Sequence, residues 1–136
     1  MGVSTHIKQQ PILEHNLEAA KFVFYQNMAV VEGIEGTHVT FEKVSNVLRV
    51  AEEVYGNDIP FVYISHRIHS YSIDPIGYYE AIKSFHNLKA LAIVTSSKRT
   101  KMIANLEKLF VAKPIRVFDD LDSAILWAEE IIEKIN

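Results

Sequence analysis

At 136 residues and 15.5 kDa, with 49% hydrophobic and 23% charged residues, the chain has the size and balance of one soluble globular domain spanning residues 1–136. A net charge of −3 argues against broad nucleic-acid binding, which needs a basic face, and the run Lys98-Arg99-Thr100-Lys101 is too short to reverse that. The absence of cysteine excludes disulfides, thiolate nucleophiles and cysteine-held zinc.

The N-terminal stretch MGVSTHIKQQP lacks the apolar core of a signal peptide. No apolar segment approaches the ~20 residues that cross a bilayer. His6 stands where a myristoylation pattern starting at Gly2 requires a hydroxyl. A cytoplasmic protein without stable membrane insertion is expected.

A short strand is expected around Ile12 to Leu17. Two runs follow, KFVFY and MAVVEGI, both rich in β-branched and aromatic residues and separated by Gln26-Asn27, so they read as a hairpin. The hydrophobic period then lengthens. Thr40 can cap a helix with Phe41, Val44, Val47, Leu48, Ala51 and Val54 on one face, and Gly56 can stop it. Phe61 to Ile64 is a continuous apolar strand. Beyond the polar stretch SHRIHSYSIDP (residues 65–75), Asp74 and Pro75 suit the cap and first position of a second helix, which carries Ile76, Tyr79, Ile82 and Phe85 inward. Residues 88–95, LKALAIVT, form a buried strand. Ser96 or Ser97 caps a third helix with Met102, Ile103, Leu106, Leu109 and Phe110 inward. IRVF, residues 115–118, is the last strand. Asp120 or Asp122 then caps a terminal helix whose inner face holds Leu121, Ala124, Ile125, Ala128, Ile131, Ile132 and Ile135, with Trp127 packed on the sheet.

A hairpin, then helix and strand in alternation, predicts an α/β fold: a mixed sheet with an N-terminal antiparallel hairpin, followed by parallel strands joined by right-handed crossovers.

From about residue 20 to 135 this order resembles the SpoIIAA-like members of the STAS superfamily, itself similar in architecture to the Sec14/CRAL-TRIO fold. The stretch KPIRVFDDLDSAILWAEEII carries the resemblance most closely, with a strand ending in Val-Phe that runs into Asp-x-x-x-Ala-x-x-Trp-Ala. The resemblance implies a regulatory or protein-interaction module; a small enzyme using the 65–75 loop, where His66, Arg67 and His69 crowd together, is a further reading. Anti-sigma-factor antagonists of that family carry a phosphorylated serine at the start of the helix after the central strand. Ser72, and less closely Ser70, falls near that place here, with Gly77 near the family's glycine. The aspartate of this chain, Asp74, follows the serine instead of preceding it.

In open parallel sheets, ligands gather beyond the carboxyl ends of the strands, and two segments would reach that rim. One contributes His66, Arg67, His69, Ser70, Tyr71, Ser72 and Asp74; the other contributes Ser96, Ser97, Lys98 and Arg99. Both lead into helix starts, whose unpaired amides favour anions. The same serines and aspartates also make ordinary helix caps, and the basic residues can simply be solvated. A protein partner is expected on these exposed loops and on the helix beginning at Pro75. The alternative is a small anionic or apolar, lipid-like ligand held against Ile68, Tyr71, Ile73 and Tyr78. The composition also admits a homo-oligomer.

No metal or cofactor is expected: His66-x-x-His69 supplies two ligands where zinc needs three or four. No catalytic residues are assigned, because neither a Gly-x-Ser-x-Gly elbow nor a glycine-rich phosphate loop occurs.

Overall fold

The structure, a computed structural model, describes residues 11–16, 20–33, 38–39, 49–66, 72–73, 83, 85–109 and 111–135. In chain order the strands are β1 (Leu13–Asn16), β2 (Ala20–Phe24), β3 (Met28–Gly33), β4 (His38–Val39), β5 (Phe61–His66), β6 (Ser72–Ile73), β7 (Leu88–Val94) and β8 (Ile115–Phe118). Helical turns occupy 49–55, and two further helices span Lys98–Glu107 and Leu121–Ile135. The expected helix starts at 40 and 74 lie outside the described residues.

Six strands form one sheet in the order β1-β2-β3-β5-β7-β8. The pairs β1–β2 and β2–β3 are antiparallel, while β3–β5, β5–β7 and β7–β8 are parallel. The expected mixed sheet, with its antiparallel start, is what the chain builds. The pair β4–β6 makes a separate two-stranded parallel ladder, His38 opposite Ser72 and Val39 opposite Ile73. Four residues in total are too few to leave a hydrophobic period in the sequence.

Because alternate residues of a strand face opposite sides, the sheet has two distinct apolar surfaces. One is aromatic. Phe22 and Phe24 of β2 and Phe61 of β5 meet Tyr55 of the 49–55 helix and Phe85. The Tyr55 and Phe61 rings stack at 4.2 Å, and Phe61 meets Phe85 edge-on at 5.7 Å. Pairs of this kind contribute about 0.5–1.5 kcal/mol beyond the area they bury.

The other surface is aliphatic. Val30, Val62, Ile64, Ala90 and Ala92 pack against Ala124, Ile125, Ala128 and Ile132 of the C-terminal helix. Alanines on both sides let helix and sheet approach closely, and Trp127 leans on Phe118 at 5.6 Å.

The 49–55 helix stops where the sequence suggests. Gly56 adopts φ +56° and its amide donates to Glu52 O at 2.8 Å, a left-handed ending that costs glycine little. The Lys98–Glu107 helix departs from expectation: Met102 and Leu109 are exposed, at 70% and 77%, and Ala104 is the buried contact. Ile135, assigned to the inner face of the last helix, is also exposed. No described helix is long and apolar enough to cross a membrane.

Candidate functional site

The site begins with strand register. His66 lies opposite Val94 across β5–β7, and Val94 lies opposite Phe118 across β7–β8. Parallel pairing therefore brings the ends of β5, β7 and β8 to one rim of the sheet. The histidine-bearing segment and the lysine-arginine segment leave from neighbouring positions there. A parallel sheet delivers this arrangement wherever its strands end in step.

The segment after β7 is built from local hydrogen bonds. Thr95 is buried; its amide donates to Phe118 O at 3.0 Å, and its Oγ1 accepts from the Ser97 amide at 3.2 Å. Ser97 is the helix cap, accepting from Thr100 N at 3.3 Å through Oγ, while its carbonyl accepts from Lys101 N at 3.0 Å. Of the two serines offered by the sequence, Ser97 does the capping. Ser96, Ser97, Lys98 and Arg99 are all exposed.

The first turn of this helix contains no acid and opens with two cations, although the helix dipole favours negative charge there. Lys98 and Arg99 are thus placed against the local electrostatic preference. Lys101, one turn on, is tied to Asp119.

Beyond β8, Asp120 caps the C-terminal helix. Its carboxylate accepts from the Ser123 amide at 2.8 Å and from Ser123 Oγ at 3.0 Å, and these bonds hold its carboxyl below the usual range. Asp122 sits in the first turn instead. Arg116 lies over the Phe118 ring at 5.3 Å.

At the end of β5, two residues read as the start of a loop belong to the strand. Ser65 is fully buried opposite Val31 and Ile93, and His66 is half-buried opposite Glu32 and Val94. Strand pairing on both sides overrides the polar character that made them look like loop. His66 Nδ1 lies 3.8 Å from Glu32 Oε1. Glu32 is the site residue that the sequence reading passed over. Its signal was present: a lone carboxylate in the apolar run MAVVEGI, in phase with Met28 and Val30 on the aliphatic face.

Ser72 lies in β6, where its backbone pairs with His38. Arg67, His69, Ser70, Tyr71 and Asp74 lie outside the described residues, as do Ile68 and Tyr78 of the lipid-like alternative. Among the described residues, no three acidic or histidine side chains converge as a metal site.

No curated protein matches the chain. The structure resembles, with a TM-score of 0.58, the crystal structure of an uncharacterised protein with a SpoIIAA-like fold from Shewanella loihica PV-4. The likeness covers 93% of this chain and 99% of the other at 14% identity, which speaks for the fold alone. The SpoIIAA-like family model matches residues 37–129. That span takes in the rim, both of its segments and most of the C-terminal helix, and the chain belongs to the SpoIIAA-like family.

Proposed function

We propose that the chain is one non-enzymatic SpoIIAA-like module that regulates or docks a protein partner through the carboxyl rim of its sheet. The observation that carries this reading is the placement of Lys98 and Arg99. Two exposed cations open a helix whose first turn electrostatically prefers acids, beside exposed Ser96 and Ser97 and next to the end of β5. Residues set against local stability are more simply explained by recognition than by folding. A partner presenting carboxylates or phosphates matches this rim.

Phosphorylation of Ser72 or Ser70 belongs to the same proposal. A phosphate would add about two negative charges to the segment that follows β5 and so change what that segment attracts. Intact-mass analysis of the protein isolated from its own cells tests this directly, with an addition of one phosphate on the 70–72 segment as the expected result.

The partner reading is tested by quantitative capture from extract of the source cells. Lys98→Glu/Arg99→Glu should lose the species that wild type retains. A control of equal charge change, Lys83→Glu/Lys108→Glu at exposed positions away from the rim, should keep it. Equal retention by both double variants would remove the rim from the account.

A small anionic ligand is the second reading, favoured by the same cations at the positive end of a helix. Titration with inorganic phosphate, followed through the Ser96 to Lys101 amide resonances, separates the two. Saturable shifts confined to those amides support the ligand; none leaves the protein partner.

A further inference from the structure

We propose that His66 and Glu32 form a proton-operated tie between β3 and β5 at the carboxyl rim. Protonation of the imidazole closes an ion pair that holds the two strand ends together, and deprotonation opens it.

The geometry is set by register. Glu32 and His66 are directly opposite each other across the parallel pair, in phase with Val30 and Ile64 on the aliphatic face. Nδ1 and Oε1 are 3.8 Å apart, longer than a hydrogen bond and within ion-pair range. Both side chains are largely covered, at 15% and 24% exposure, and Glu32 Oε1 itself is closed off from water and accepts no hydrogen bond among the described residues. A carboxylate oxygen removed from water is unfavourable unless a donor or cation compensates it. The imidazolium can supply that charge at this distance and the neutral imidazole cannot. Histidine is also the side chain whose charge changes near neutral pH.

Among the described residues, the surrounding charges leave this role to His66. From β2, Lys21 occupies the same row opposite Glu32, but its Nζ pairs with Glu14 of β1 at 3.0 Å. From β7 and β8 the row continues with Val94 and Phe118, neither charged. Arg116 of β8 lies over the Phe118 ring. The C-terminal helix, packed on this face through Ala124, Ile125 and Ala128, brings Asp122 in its first turn, preceded by Asp119 and by Asp120 in its capping bonds. Arg67 and His69, next along the chain, lie outside the described residues.

His66 is the last residue of β5, so the tie sits where the candidate binding segment leaves the sheet. Closing it fixes the point of departure of that segment; opening it releases β5 from β3 at their last paired position. The proposal stands whether or not the rim binds a protein.

The test is a pH titration by NMR over roughly pH 5 to 8, following the His66 ring and the Glu32 side-chain carboxyl carbon in wild type and in Glu32→Gln. In wild type, the Glu32 carbon should report a step at the His66 midpoint. In Glu32→Gln, the His66 midpoint should fall by about half a pH unit or more, since an opposite charge nearby favours the protonated ring. An unchanged His66 midpoint, or a Glu32 carbon without a step there, overturns the proposal. Should Glu32→Gln fail to fold, the wild-type carboxyl signal decides alone.

Discussion

The two ends of the parallel strands are built differently. At the amino end, polar side chains are turned inward to satisfy backbone groups. Asn87 Nδ2 donates to Gly56 O at 3.1 Å and Ile59 O at 2.9 Å, and Asn27 Nδ2 donates to Pro60 O at 2.9 Å. Lys113 Nζ donates to Leu88 O at 2.8 Å and also to Phe85 O. The Tyr55 hydroxyl sits between the carbonyls of Tyr25 and Met28, at 2.7 and 2.8 Å. At the carboxyl end, Ser96, Lys98 and Arg99 face water, and the local bonds there serve two helix caps. One end closes the sheet; the other presents side chains. That division predicts that substitutions at the first end cost stability and that substitutions at the second cost little.

The comparison can be broken by mutation, beginning where the loss should be greatest. Tyr55→Ala removes a ring stacked on Phe61 as well as the hydroxyl, and should lower unfolding free energy in urea by about 3–5 kcal/mol. A loss under about 1 kcal/mol would show that the amino end is not the anchor. Asn87→Ala leaves the Gly56 and Ile59 carbonyls without their donor inside the protein, and about 2–3 kcal/mol should be lost.

Alkaline pH probes the same end. Burial raises the Tyr55 phenol above its ordinary 10.0, so above that pH the unfolded chain releases a proton that the folded protein keeps. Stability therefore falls as pH rises past about 10, by up to about 1.4 kcal/mol per pH unit from this group. Tyr55→Phe should flatten that part of the curve. Tyr25 contrasts within the same pole: its hydroxyl is buried without a hydrogen-bond partner among the described residues. Tyr25→Phe should be neutral or stabilising by up to about 1 kcal/mol, visible as an unchanged or higher urea midpoint.

The smallest effect belongs to the rim. Lys98→Glu/Arg99→Glu replaces disfavoured cations with acids that suit the helix dipole, so stability should hold or rise by about 0.3–1 kcal/mol. A clear loss would mean those cations serve the fold after all.

Much of the sheet was legible because its strands are continuous apolar runs of the right length. The hairpin around Gln26-Asn27, the runs starting at Phe61 and Leu88, and IRVF all became strands. The glycine stop at Gly56 was legible because few other residues adopt that conformation cheaply.

Tertiary context hid the rest. Ser65 and His66 look like loop until both neighbouring strands are seen to extend alongside them. The helical period alone points Met102 and Leu109 inward, but the small Ala104 is the buried contact. Choosing Ser97 over Ser96, and Asp120 over Asp122, needed the amide positions. Glu32 was hidden because a single charge in an apolar strand is easily taken for a residue at a solvent edge; only its opposite number, His66, gives it meaning.

The arrangement of the rim itself can be measured with one spin label. The chain has no cysteine, so Ser97→Cys provides a unique exposed attachment point. β7 has seven residues, which separates its two ends by about 20 Å. Paramagnetic broadening should be strong at the His66 and Asp119 amides and weak at those of Asn87 and Asn27. Strong broadening at Asn87 with sharp signals at His66 would put the two segments at opposite ends of the sheet, and the rim would cease to exist.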